Sequence, residues 1–511
     1  MKLTKLSAAL GLALVSAAST GFAGTCGDTG FDPYTCTADP GYDNVFLSGA
    51  SAPDNYLELT VTSWLEAGYV KITDGTSNHR AFVGRLKNVD PVPAAHRGKS
   101  IRFIKRSAGG SAFGVGPVGR DEFLQVLDVT NAGACTGTGS ARICPLKGVD
   151  GVSGMKPTFG VSDVSPEMFK APYNLEYIAA LGGTVTQLTA TETAGMTIKA
   201  ANTLMMGIVA TDVVPATTVF TRGVYGDILR AGGYVDWSQV DPSLTASGGP
   251  LEAKPGIVVC RRVPGSGTQT SYNWFFAGFP CTKGSVVGDD FVEPKRLTDS
   301  AGYDPDGDGE PGNAGEDGSQ GNPYTLDATA GLTVIENSGS GDVRNCLKAA
   351  NNGGLYNFRN EEGKWFRVDF GSGAYGAVGV LSVDSINNNN GSVSGWSYRT
   401  LDGAGTYKDT DNTSAISLQL SAGATGIAPS KANLISGAYD FASELTFQYK
   451  TSKLAGNPTT KSFVDALITA MSAPAGNTQA WVAALPPQAA GPNTAKATRG
   501  GNMCGPLKYF Y

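Results

Sequence analysis

Four times along this chain a short β-branched or apolar run ends in a Gly/Ser-rich turn and gives way to helix-like residues. Val45–Leu47 leads into Ser48-Gly-Ala-Ser-Ala-Pro53 and then an amphipathic run from Tyr56 to Ala67. Ile101–Lys105 leads into Ser107-Ala-Gly-Gly-Ser111, and Pro157–Val161 into Ser162-Asp163. Ile257–Arg261 leads into Arg262-Val-Pro-Gly-Ser-Gly-Thr268. Strand, tight turn and helix in repetition is the pattern of an α/β fold. In open α/β sheets, ligands bind beyond the carboxyl ends of the strands, where these turns lie. The repetition therefore sets the fold class and the candidate site together.

The last of the four turns is chemically the richest. Arg262 supplies a planar, permanently charged fork of donors. Successive amides of a glycine-rich turn make a concave nest for negative charge. A helix over about Gln269–Phe276 would turn its positive end to the same spot. Together these groups suit a tetrahedral oxyanion. Alone they also fit an ordinary turn, and the other three segments give the anion reading its weight.

The start of the chain predicts export. Lys2 and Lys5 precede an apolar stretch from Leu6 to Ala18, and Gly21-Phe-Ala23 offers small residues for a cut. This reads as a secretory signal peptide over residues 1–23, since the apolar run is too short to span a bilayer. No cysteine stands at the cut for a lipid anchor. A periplasmic or secreted protein without membrane insertion is expected. The formal charge of −6 becomes −8 when the two leader lysines are removed, which argues against nucleic acid as a partner. Eight cysteines in an exported chain predict disulfides. Proximity pairs Cys26 with Cys36, Cys135 with Cys144 and Cys260 with Cys281, leaving Cys346 with Cys504. Zinc is disfavoured, because the chain has no CxxC pair and only two histidines.

Residues 284–325 read as an inserted loop, polar and rich in Gly, Asp and Pro. Within it, Asp304, Asp306, Asp308 and Glu310 alternate with turn formers, a candidate structural calcium site weighed against a solvated acidic loop. The twelfth position from Asp304 is Gly315, so the segment is no standard EF-hand. No other cofactor is expected.

Taken in order, the four turns make the chain resemble the phosphate-binding protein of bacterial phosphate ABC transporters, within the type II periplasmic solute-binding superfamily. Gly376-Ala-Val-Gly-Val380 also resembles a late strand of that family's second lobe. The resemblance covers most of residues 44–450. It implies two α/β lobes joined by hinge strands, residues 24–205 with 395–511 as lobe I and 206–394 as lobe II, closing on ligand between them. It further implies a phosphate shell in which Ser51 donates its hydroxyl and Ala52 its backbone N–H. Ser107 would donate, Asp163 would accept a proton from the ligand, Arg262 would supply charge, and Ser266, Gly267 and Thr268 would close the shell. The implied partners are phosphate or a related oxyanion and an ABC permease, with the protein itself a monomer. Two departures stand out: Ala52 where the family commonly has an aromatic residue, and Pro264 where it commonly has an acid. Without that acid, Arg262 is expected to be less firmly oriented.

The logic of Asp163 stands apart from any family. A carboxylate in an anion pocket repels a fully deprotonated oxyanion and admits one that brings its own hydrogen. The competing reading makes Asp163 a helix N-cap, since Ser-Asp ahead of a helix is ordinary capping chemistry. Two other functions compete with solute capture. A surface or adhesive protein retaining the scaffold would suit the 69 glycines and the long insertions. An enzyme is disfavoured, because His79 and His96 lie in polar turns that read as surface and no nucleophile elbow is present.

Overall fold

The computed structural model describes residues 43–510, apart from 77, 138–140, 172, 176–185, 229–232, 282–311, 328–330, 360–363, 389–393, 410–417 and 488–490. The expected leader 1–23, the Cys26–Cys36 pair, and Asp304, Asp306, Asp308 and Glu310 lie outside the described residues.

In chain order the frame is β1 (Asp43–Gly49), α1 (Asp54–Ser63), β2 (Val70–Thr73), β3 (His79–Arg85), β4 (Ser100–Arg106), β5 (Ala141–Ile143), β6 (Phe159–Ser162) and β7 (Met196–Thr211). There follow β8 (Val258–Arg262), α2 (Gly267–Ala277), β9 (Thr333–Asn337), α3 (Ser340–Asn352) and β10 (Ala377–Ser382). The chain then continues through β11 (Trp396–Arg399), β12 (Ala442–Lys450), α4 (Pro458–Ser472) and β13 (Val482–Ala484). The fold is α/β, as the repeated strand–turn–helix pattern predicts.

One strand organises the whole sheet. The sheet path is β9-β8-β10-β7-β12-β6-β1-β4-β3-β2-β5, and β7 is where its two halves join. With 16 residues at roughly 3.3 Å each, β7 is long enough to belong to two halves. Its residues Met196–Met205 pair with β12, and Met206–Ala210 pair with β10, both antiparallel. On each side of this pair lies a parallel triplet. In the first half β1 sits between β4 and β6, and in the second β8 sits between β9 and β10. Burial of β4, β6, β8, β9 and β10 is continuous along each strand, as expected for parallel strands covered on both faces. Residues 396–399 add to β7 at Val209–Thr211, on the edge opposite β10, and the chain returns to the first half at β12.

Two main apolar cores follow this division. Around β1 and β4, the residues Trp64, Phe103, Phe447 and Leu467 pack under α1 and α4, with Trp64 edge-on to Phe463 at 5.5 Å. Around β8 and β10, the residues Val259, Leu347, Val378 and Tyr398 pack under α2 and α3. A smaller cluster of Ala112, Val164, Met168, Phe169, Trp274 and Met503 fills the junction between the halves.

Cys135 is bonded to Cys144, as proximity suggests. The other two expected pairs are wrong: Cys260 is joined to Cys346, and Cys281 to Cys504. The reason is geometric. Cys260 is buried in β8, and α3 packs on that strand, bringing Cys346 to a Cα separation of 6.0 Å. Cys281 lies beyond the far end of α2, about 16 Å from the start of that helix at 1.5 Å per residue. The C-terminal segment meets it there, with Cα atoms 5.1 Å apart. Two of the bonds close long segments, separated by 86 and 223 residues. Replacing Cys281 and Cys504 together by Ser is expected to lower stability by about 2–5 kcal/mol, read by denaturant melting. Non-reducing peptide mapping should yield the 281–504 crosslink, and a 260–281 crosslink would refute the arrangement.

Candidate functional site

Six turns meet where the halves face each other, each at the carboxyl end of one parallel strand. The first half brings Ser51 after β1, Ser107 and Ser111 after β4, and Asp163 after β6. The second brings Ser266 and Gly267 after β8, Ser338 and Ser340 after β9, and Asp384 and Ser385 after β10. Direct contacts join them. Ala112 N donates to Gly265 O at 2.9 Å, and Thr268 Oγ1 donates to Asp163 Oδ2 at 3.4 Å. A Cβ added at Gly110 would lie 2.9 Å from Ser266 Cα, and one at Gly267 would lie 2.3 Å from Ser111 Oγ and 2.7 Å from Asp163 Cβ. At Gly110 and Gly267 the two halves therefore approach more closely than any side chain permits.

Arg262 and Asp163 come from different halves and share one buried spot, each only 2% exposed. Arg262 Nη1 donates to Ser51 Oγ at 3.2 Å and to Ser340 Oγ at 3.1 Å, while Nη2 donates to Ser338 O at 2.8 Å. Three acceptors thus orient the guanidinium. The expectation that Pro264 leaves it loose fails, because the turn after β9 does the work of an adjacent acid. Asp163 accepts from Thr268, and its backbone N–H donates to Ser111 Oγ at 3.1 Å. Its Oδ1 is buried and has no hydrogen-bond partner among the described residues. Burial pushes the Asp163 carboxyl up to about 7, against the pull of Arg262 and Lys105. Asp163 is no N-cap: the next helical turn begins at Pro166 and is flanked by Ser165.

Lys105 is a second buried cation that the sequence reading passed over. Its Nζ donates to Gly49 O, Ala50 O, Arg106 O and Ser107 Oγ at 2.8–3.0 Å, and lies 3.4 Å from Asp54 Oδ1. Burial lowers its pKa to about 8, with Asp54 pulling the other way. Ser107 accepts from Lys105 and gives its own proton to Asp54 Oδ2 at 2.7 Å, so its hydroxyl is engaged within the protein. Ser51 lies on Arg262, Ala52 is buried beneath the same turn, and Ser266 caps α2 through Gln269 N. The geometry thus brings Ser51, Ala52, Ser107, Asp163, Arg262, Ser266, Gly267 and Thr268 into one neighbourhood.

Ser338-Gly-Ser-Gly341 was the missed turn. It carries the same signal as the other four, a β-branched strand running into Gly/Ser and then a helix, but lies next to a segment that reads as insertion. Beside this spot opens a cavity of about 290 Å³, which Ser51 and Ser340 line together with Asp54, Arg344 and Asp384. The histidines lie elsewhere. Both are buried, contrary to the surface reading: His79 Nδ1 is 2.9 Å from Asp74 Oδ2, and His96 bridges Asp43 Oδ2 and Thr459 O at 2.8 Å each. The partner of His79 is a polar neighbour in sequence, whereas His96 is buried against Asp43, Thr459 and Ser462, which are distant along the chain and invisible to a local reading.

No family model matches the chain, and no curated protein matches it significantly. Among solved structures it is similar to a putative phosphate ABC transporter substrate-binding protein with bound phosphate from Clostridium perfringens. That match has 13% identity and a TM-score of 0.36 over 83% of this chain and 93% of that one. It is also similar to an ABC-type phosphate transport receptor from Vibrio cholerae, at 11% identity and a TM-score of 0.33 over 83% and 93%. A third match is PstS from Borrelia burgdorferi, at 10% identity and a TM-score of 0.31 over 85% and 94%. What this chain can bind is decided by its own residues. Among the described residues no helix is long and apolar enough to cross a membrane, and no cluster of His, Cys, Asp and Glu could hold a metal ion.

Two outcomes follow from this packing. Gly267→Ala should destabilise the closed contact by about 1–3 kcal/mol, measured by thermal melting of anion-free protein. The raised carboxyl of Asp163 gives a pH signature. Between the ordinary value of 3.8 and about 7 the folded state holds more protons at this group than the unfolded state. Its contribution to stability therefore falls as pH rises through that window. Asp163→Asn should accordingly melt higher than the parent at pH 8 and together with it near pH 4.

Proposed function

We propose that the chain is an exported solute-binding protein that captures phosphate, or a similar protonated oxyanion, in the cleft between the two halves and presents it to an ABC permease. The observation that carries this reading is the buried meeting of Asp163 and Arg262 from opposite halves, with one carboxylate oxygen left unpartnered. In this reading Arg262 and Lys105 balance the anion's charge. Amides at the start of α2, with the hydroxyls of Ser51 and Ser111, donate to its oxygens, while Thr268 holds Asp163 in place. Asp163 accepts the hydrogen that the anion carries.

Two lobes hinged on the strands β7 and β12 would part to admit the ligand, with the chain crossing near Met205–Met206 and again at about 441–442. The three disulfides among the described residues are in keeping with an oxidising compartment. No chemistry on the ligand is part of the proposal.

Isothermal titration of protein stripped of anion by partial unfolding should give saturable phosphate binding that survives about a hundredfold excess of sulfate. Arg262→Met should weaken phosphate by about 100-fold or more. Asp163→Asn should narrow the gap between phosphate and sulfate, since an amide no longer rejects an anion without a proton. Absence of heat with phosphate, or equal affinity for sulfate in the parent, would refute the reading.

A further inference from the structure

The cavity beside the buried Arg262–Asp163 pair has a chemistry of its own. Its volume of about 290 Å³ equals that of roughly ten waters at ~30 Å³ each. Apart from Gly341, every residue lining it is Ser, Thr, Asn, Asp, Glu, Lys or Arg. Such a wall suits a hydroxylated ligand better than an acyl chain. It lies against the oxyanion spot, because Ser51 and Ser340 line it while both accept from Arg262. Their hydroxyl oxygens are 3.3 Å apart, at the boundary where the two spaces meet.

Most of the cavity's charges are already matched. Lys71 pairs with Glu58 at 2.5 Å, and Arg80 reaches both Asp54 and Glu58 at 3.2 Å. Asp384 and Arg344 attract one another, but Asp384 keeps an oxygen open. Asp384 is 4% exposed; its Oδ2 accepts from Asn55 Nδ2 across the cleft at 3.0 Å, and its Oδ1 has no hydrogen-bond partner among the described residues. Arg344 donates from Nη1 to Ser385 Oγ at 3.3 Å. A buried acceptor without a partner is unfavourable unless something fills the place. A ligand hydroxyl fits, since it can donate to Asp384 and accept from Arg344. Burial and the nearby charge of Asp54 push the Asp384 carboxyl up to about 8. A group so reluctant to ionise suits a neutral hydroxyl better than an ammonium ion.

We infer that the cavity is a second compartment of the ligand site and receives the polyhydroxylated part of a small phosphomonoester, whose phosphoryl group sits by Arg262 and Asp163. This rests on the oxyanion reading above, and it names the class of solute that the same site takes.

The test is titration calorimetry on the full chain with inorganic phosphate, glycerol 3-phosphate, glucose 6-phosphate and butyl phosphate. At least one of the two polyol esters should bind about tenfold tighter than phosphate or better, and butyl phosphate should show no gain. Asp384→Asn, whose carbonyl can still accept from Asn55, and Arg344→Met should each reduce the polyol advantage about three- to tenfold. Both should leave the affinity for inorganic phosphate within about twofold, which also reports that the variants fold. Phosphate binding tighter than either ester, or a polyol advantage untouched in both variants, would overturn the inference while the oxyanion reading stands. If neither phosphate nor any ester binds, both fall.

Discussion

Burying charge is the constraint around which this molecule is built. Arg262, Lys105, Asp54 and Asp163 are all nearly withdrawn from water, and isolated ions there would cost several kcal/mol each. The chain meets the demand by supplying partners from distant segments. Lys105 ties the turn after β1 to the turn after β4. Arg262 ties the turn after β8 to the turns after β1 and β9. Asp163 keeps one buried oxygen without a hydrogen bond, and so offers an outside group something to gain.

The frame makes that arrangement attainable. Two parallel triplets flank a pair of long antiparallel strands, and all six parallel strands end on the cleft. A parallel sheet is covered on both faces by helices, so its carboxyl edge is the natural opening. Glycine lets the two edges touch: at Gly110 and Gly267 a single methyl group would hold them apart.

Much of this can be read in the residues, and the failures have definite causes. The turns at Ser51, Ser107, Asp163 and Arg262 announce themselves because a β-branched run stops abruptly at Gly and Ser. The equivalent turn at Ser338 carries the same mark but was obscured by its polar surroundings, and that after β10 lacks glycine altogether. Lys105 looked like the polar end of a strand, and only the backbone carbonyls that converge on it show otherwise. The disulfides at Cys260 and Cys281 defeated proximity, because a helix carries the chain away between them. Asp163 was expected to precede a helix; instead Pro166 opens one short turn, which frees the carboxylate from capping.

The bond from Cys281 to Cys504 has one more implication. The tail that carries Cys504 is anchored to the first half, where Glu444 accepts from Gly501 N at 2.5 Å and Ser165 Oγ from Met503 N at 3.3 Å. Cys281 follows α2, which belongs to the second half. The molecule therefore carries a covalent strap across its own jaws, sited near the junction cluster. In the opening proposed above, the jaws would swing only about the side where that strap is fastened, and reduction would remove the leash.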